Sequence, residues 1–411
     1  MKSIVFLESN KSGSSREAIR AAENMGYLTV LITNRKRTLH QREEFPDVHQ
    51  MYYCNLSNVE EIEKIIDYLK ELGLEIQLIV SFVDPYVCTA SLLMDKCCEK
   101  NQLNTSAISK MEDKYETRKT LASKPYTPFF ELYNGELTIT DFTDEAKKHL
   151  PLIVKSPNST GSKDVFLAVT REELEYHISI LREKYPGKSV LVEEYVDGPQ
   201  YLVEAMIIDG TPHLIAVIEQ EITKKQRFIV TGYCVLAEVE KSLNTSLKRL
   251  VTSISRSFQF TNGAMHLEIR RKGDKWKLIE INPRISGGAM NKMVETAFNI
   301  NLVKETLRLY LGERPEITPK TNKFVFTQYV IVSKPGKLLK VTGRNKAENS
   351  PGVVSVYIKP RKGTVLIPPL SMGNRYAYVI ARGETKDEAT NLAKEAADLI
   401  EFHLDDETST D

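Results

Sequence analysis

Polar and apolar positions follow two regimes along this chain. Up to about residue 110, short apolar runs of strand type (Ser3–Leu7, Leu28–Ile32 and Ile76–Phe82) alternate with stretches of helical period. Those stretches are Arg16–Met25, Val59–Leu72, with Ile62, Ile65, Ile66 and Leu69 on one face, and Pro85–Cys98. Such alternation predicts a small parallel sheet covered by helices on both faces. Ligands of these sheets gather beyond the carboxyl ends of the strands, which places Glu8–Ser15 and Phe82–Tyr86 toward any site.

From Thr127 the strands come in runs: Leu152–Lys155, Val165–Val169, Val190–Tyr195, Tyr201–Ile208, His213–Ile218, Arg227–Val235, His266–Arg271 and Lys277–Asn282. Helices over Glu172–Lys184 and Leu243–Phe258 interrupt them, an α+β pattern with antiparallel sheets. The C-terminal part holds short strands with Gly/Pro turns and ends in an amphipathic helix predicted over Lys386–His403. The expected organisation is four units, 1–110, 111–196, 197–312 and 313–411. The fold class is α/β followed by α+β.

At 411 residues the chain exceeds the size of a single growing core, and 41% hydrophobic with 27% charged residues is an ordinary globular balance. A net charge of +1 provides no global field toward nucleic acid or an anionic membrane, so neither is an expected partner. The five cysteines are scattered without CxxC spacing, which points to a reducing, cytoplasmic setting rather than a disulfide framework or zinc site. No stretch approaches the ~20 apolar residues that a membrane helix needs.

Candidate chemistry concentrates in a predicted hairpin. His266-Leu-Glu268 on one strand is followed by a turn near Gly273 and then by Glu280-Ile-Asn282-Pro-Arg284. Strand side chains alternate, so Glu280 and Asn282 share a face, as do His266 and Glu268. A three-residue turn at Gly273–Lys275 sets Glu268 opposite Glu280, whereas a two-residue turn shifts the register by one. Facing carboxylates repel unless a cation lies between them, and ligands from Glu, Glu and Asn suit Mg²⁺ that completes its shell with phosphate and water. The bland alternative is a surface hairpin whose glutamates pair with Arg270, Lys272 and Lys277. Against it stands the run Glu280-Ile-Asn-Pro-Arg-Ile-Ser-Gly-Gly288, because a solvated hairpin needs neither the Pro-Arg nor the two glycines. Lys155, on a buried strand, is costly without an anion partner. Taken alone, Lys114 reads as a solvated helix lysine, and Glu193 and Glu194 as surface charges at a strand end.

Glu280-Ile-Asn-Pro-Arg284 resembles the metal and phosphate motif of the ATP-grasp superfamily, with Glu268 as its partner carboxylate. Other pieces follow in that family's order. Asp113-Lys114 resembles the first nucleotide-contacting lysine, and Pro151-Leu-Ile-Val-Lys155 the strand whose lysine reaches the α/β-phosphates. Ser156-Pro-Asn-Ser-Thr160-Gly161-Ser162-Lys163 resembles the loop that closes over the triphosphate. Val192-Glu193-Glu194-Tyr195-Val196 resembles the hinge whose backbone reads adenine. The resemblance covers about residues 110–310. It implies an ATP-grasp fold: a preceding N-terminal α/β domain, two nucleotide-clamping lobes and a small C-terminal α+β segment. It also implies ATP with Mg²⁺ (or Mn²⁺), Glu268, Glu280 and Asn282 as metal ligands, and a homodimer. Arg284 would steady the transferring phosphate, and the Gly287 N–H would serve as an oxyanion donor.

Within the superfamily the chain resembles the bacterial L-amino-acid ligases, which implies dipeptide formation from two free amino acids through an acyl phosphate. Where those ligases have a strand ending Glu-Thr-Gly-His near the first substrate's amino end, this chain has Val230-Thr-Gly-Tyr233, consistent with a less polar pocket or with Tyr233 as a core aromatic. His266, Gly288, Met290 and Pro85 are further candidates for the substrate wall, although residues such as Met290 and Pro85 are more often plain core. Carboxylation of a metabolic intermediate and nucleotide binding without turnover are the competing functional readings.

Overall fold

The computed structural model describes residues 1–99, 101–156, 164–224 and 228–405. The N-terminal runs form β1 (Lys2–Leu7), β2 (Leu28–Thr33), β3 (Gln50–Tyr53) and β4 (Glu75–Val80), a parallel sheet in the order β3-β2-β1-β4. Strand β3, with the polar-led sequence Gln-Met-Tyr-Tyr at the sheet edge, carries too little apolar alternation to be read from the sequence.

Four short strands, β5 (Phe130–Tyr133), β6 (Leu152–Lys155), β7 (Val165–Ala168) and β8 (Val190–Glu194), make a second sheet in the order β5-β8-β6-β7. The helix Arg171–Lys184 packs on it through Leu174, Ile178 and Leu181. A capping box between Thr170 and Glu173 satisfies orphan N–H groups at the helix start.

The largest sheet is built from β9 (Gln200–Ile208), β10 (Thr211–Lys224), β11 (Phe228–Val235), β12 (Gly263–Lys272), β13 (Lys275–Asn282) and β14 (Phe324–Val330). The C-terminal strands are β15 (Gly336–Thr342), β16 (Val353–Ile358), β17 (Val365–Leu366), β18 (Ala377–Gly383) and β19 (Glu401–Asp405). Of these, β16 and β18 extend the large sheet to β13-β12-β9-β10-β11-β14-β18-β16, and β17-β15-β19 form a small sheet of their own.

One face of the large sheet, with Leu202, Met206, Ile218, Tyr233 and Ala264, shares a continuous core with the N-terminal sheet and with the helices Met290–Phe298 and Leu302–Tyr310. The opposite face packs against the helices Lys241–Ser257 and Lys386–Asp398. The final helix is shorter than expected. It stops at Asp398, and His403 lies in β19, where alternating Phe402 and Leu404 pack into the C-terminal cores and the backbone pairs with β15. Helical and strand periods are hard to tell apart over so few residues. Among the described residues, no helix is long and apolar enough to cross a membrane.

Candidate functional site

The hairpin reaches its expected pairing by an unexpected route. Its turn has two residues, Gly273 and Asp274, with Lys272 paired to Lys275 and Gly273 at φ 60°. That register alone would oppose Glu268 to Ile279. A bulge at Ile279 restores it, so that Glu268 faces Glu280 and His266 faces Asn282. The bulge is held from outside: the Ile279 carbonyl accepts from Arg118 Nη2 at 2.7 Å, and the Leu278 N–H donates to the Tyr126 carbonyl at 2.8 Å.

The surface-hairpin pairing is not made. Lys272 goes to Glu194 at 2.8 Å, while Lys277 donates to the Thr127 carbonyl at 3.0 Å. Arg270 binds Gln200 Oε1 at 2.9 Å and the Val196 carbonyl at 2.6 Å, and Gln200 Nε2 donates to Glu268 Oε2 at 3.0 Å. A polar chain therefore runs from Val196 to Glu268. Burial and the facing Glu280 push the Glu268 carboxyl above the usual carboxylate range, against the pull of His266, Lys114 and Lys155. Lys114, at the start of a helix capped by Asp113, lies 3.6 Å from Glu280, with its side chain only 13% exposed. It is part of the cleft wall, not a solvated lysine.

Glu193 is no surface charge either. Its carboxylate is buried between Arg118 Nε and Lys155 Nζ, each at 2.6 Å. Burial works against this carboxylate, and the two cations overcome it and hold its pKa low; burial likewise pulls the Lys155 ammonium's pKa down in spite of Glu193. Alternation along β8 turns Glu193 inward and Glu194 outward toward Lys272. At the hinge the Tyr195 N–H donates to the Pro151 carbonyl at 3.0 Å, and the Tyr195 ring lies beneath Arg270. Ser156 follows directly on β6; Thr160, Gly161 and Ser162 lie outside the described residues.

Arg284 reaches across to the N-terminal domain. Its guanidinium forks onto Asp84, Nε donating to Oδ1 at 2.8 Å and Nη2 bonding Oδ2. Asp84, Pro85, Glu112, Lys114, Glu280 and Asn282 line one cavity of about 220 Å³. Burial and the neighbouring Asp84 push the Glu112 carboxyl up to about 7, a position that no sequence motif flagged. Beyond Arg284, a Cβ on Gly13 would come within 3.0 Å of the Gly288 nitrogen, and one on Gly287 within 4.0 Å of Ser14 Oγ, so the loop after β1 meets the two glycines. Gly288 sits at φ 65°, the left-handed region that glycine enters without strain.

His266 is buried with its Nδ1 2.6 Å from Glu204 Oε1, and Glu204 Oε2 accepts from the Ser286 N–H at 3.3 Å. Burial opposes the imidazolium, but Glu204 raises the His266 pKa. Glu204 is a second residue missed from sequence, in an otherwise apolar strand where an internal glutamate was the available signal. Met290 is packed in the shared core at 5% exposure. Tyr233 is also buried, but beside a charge: Arg375 Nη1 donates to its hydroxyl at 3.4 Å. Its surroundings are therefore more polar than expected.

Glu268 thus faces Glu280; Lys114, Glu280 and Asn282 line one cavity, and Arg284 is tied to Asp84 on its wall. Residues 148–292 match the family model of the ATP-grasp domain. Residues 328–405 match the L-amino acid ligase C-terminal domain 2. Among curated relatives, "Uncharacterized protein y4rH" of Sinorhizobium fredii is 26% identical over 62% of this chain and 53% of its own length. The L-arginine-specific L-amino acid ligase of Bacillus subtilis is 22% identical over 62% of this chain and 63% of its own length. The alignments thus span less than two thirds of these relatives. The crystal structure of an L-amino acid ligase from Bacillus licheniformis superposes with a TM-score of 0.82 at 19% identity, covering 99% of each chain, a likeness of fold.

Proposed function

We propose that this chain is an ATP-dependent ligase that joins two amino acids into a dipeptide, releasing ADP and phosphate. The observation that carries the reading is Glu268 set opposite Glu280, with Lys114 3.6 Å from Glu280 and the Asp84-braced Arg284 just beyond Asn282. Glu268 fits a cation: burial and Glu280 raise its pKa, a conflict that a divalent ion between them relieves. Glu268, Glu280 and Asn282 would hold Mg²⁺, whose contribution is to neutralise charge on the phosphates of ATP.

A carboxylate is a poor electrophile. One amino acid's carboxylate oxygen attacks the γ-phosphorus, ADP leaves, and the acyl phosphate carbonyl then takes the second amino acid's nitrogen as phosphate departs and the amine loses its proton. The chain's own part is positioning and charge stabilisation. Lys114 and Lys155 would contact the phosphates, Arg284 the transferring group, and the Gly287 N–H the developing oxyanion. The matched L-amino acid ligase C-terminal domain and the similarity to an L-arginine-specific L-amino acid ligase support amino acids as substrates.

The test is incubation with ATP, Mg²⁺ and amino-acid pairs, following ADP, phosphate and product mass. Release is expected only when two amino acids are present. Release that instead requires bicarbonate, or none with any mixture, overturns the reading in favour of carboxylation or of nucleotide binding without turnover. Glu280→Gln is expected to weaken Mg²⁺-dependent nucleotide binding on the order of 10–100-fold, read by titrating Mn²⁺ or Mg²⁺ against bound nucleotide. Unchanged metal dependence would remove Glu280 from the metal set.

A further inference from the structure

On the same face of the large sheet, beyond the His266–Glu204 pair, lies a cation that meets no acid among the described residues. Arg375 follows a short turn, Met372–Asn374, and stacks its guanidinium 3.8 Å above the Tyr329 ring and 5.6 Å from the Tyr233 ring. Its hydrogen bonds go to neutral oxygens: Nε to the Met372 carbonyl at 3.2 Å, and Nη1 to the Val230 carbonyl at 3.3 Å and the Tyr233 hydroxyl at 3.4 Å. Among the described residues no carboxylate pairs with Arg375, and no acceptor lies on its Nη2. A half-enclosed guanidinium normally has its charge met by an anion, because neutral acceptors do not offset the loss of water around it.

The neighbouring side chains include polar atoms on the same face of the sheet. Tyr233 lies opposite Gln220 on β10 and Thr327 on β14, so the three share a face. Gln220 Oε1 and Thr327 Oγ1 are both buried without a hydrogen-bond partner. Tyr329 adjoins the glycine turn, since a Cβ on Gly288 would lie 4.0 Å from its hydroxyl. The aromatic faces fix the guanidinium plane, and the remaining fork of N–H groups matches the two oxygens of a carboxylate.

We propose that Arg375, held by Tyr329 and Tyr233, is the carboxylate-binding subsite of the substrate groove. This rests on the ligase reading above and adds a specificity-determining residue to it. The carboxylate is either the α-carboxylate of one amino acid or the side-chain carboxylate of an acidic one.

The experiment measures binding of L-glutamate, L-glutamine and L-isoglutamine to the full chain with Mg²⁺ and ADP by calorimetry, for wild type, Arg375→Met and Arg375→Lys. Wild type is expected to bind L-glutamate, with Arg375→Met about 10–100-fold weaker and Arg375→Lys between them. Unchanged ADP binding marks each variant as folded. Loss of L-glutamine binding assigns the α-carboxylate, and loss of L-isoglutamine binding assigns the side chain. Equal binding by wild type and Arg375→Met, or no binding of any carboxylate by wild type, overturns the subsite. ADP release with amino-acid pairs that is indifferent to Arg375→Met would sink the subsite and leave the ligase. Arg375-dependent binding without ADP release under any mixture would do the reverse.

Discussion

Arg284→Ala is expected to lower turnover by about 10²–10³-fold while nucleotide affinity changes little. A charge-stabilising group aimed at the transferring phosphate contributes mainly when charge develops, so its loss falls on kcat. The side chain is only 13% exposed and is locked bidentate to Asp84 on the other domain, so its orientation is set before substrate arrives. Its removal also leaves Asp84 facing Glu112, whose carboxyl Asp84 already pushes up and Arg284 draws down. Asp84→Asn retains the guanidinium but loosens its aim, and a smaller loss is expected, because misplacement alone can cost 10²-fold. ADP release and nucleotide titration on both variants check this. Turnover of Arg284→Ala within threefold of wild type would remove Arg284 from the chemistry.

The largest effect on stability is expected at Glu193. Glu193→Ala leaves Arg118 and Lys155, each almost fully buried, side by side without the carboxylate that both contact. Removing one partner of a buried ion pair typically costs about 3–5 kcal/mol, because the remaining charge stays desolvated. Urea unfolding should show a loss of that size, and a loss under about 1 kcal/mol would mean that water or another acid reaches the cations. If Lys155 meets a triphosphate, MgATP supplies a replacement anion. The variant's melting temperature should then rise more on adding nucleotide than that of wild type. An equal rise would separate Lys155 from the phosphates.

Glu193 also illustrates where reading the chain reached its limit. The Val192–Val196 segment resembles a hinge, yet a glutamate at a strand end reads as solvated. Strand alternation turns it inward, and there its charge is met by Arg118, 75 residues away. The hairpin was legible in outcome but not in route. Glu268 does face Glu280, but through a two-residue turn corrected by a bulge whose carbonyl is held by that same arginine, 161 residues from Ile279. The terminal helix was overextended because its last residues carry apolar spacing that also satisfies a strand once β15 lies beside them.

Most elements up to β13, their order and the residue types gathered in the cleft were determined by the sequence alone, β3 and the terminal strand β19 excepted. Period-two and helical patterns, caps and a contiguous run such as Glu280–Gly288 are local properties, carried by neighbours along the chain. Only the tertiary structure decided that Asp84 braces Arg284 from 200 residues away and that Glu204 holds His266 across 62. It likewise set Arg375 against Tyr233 from 142 residues away. Such pairings follow from how sheets stack and lobes close, and contacts between distant segments leave no periodic trace in the chain.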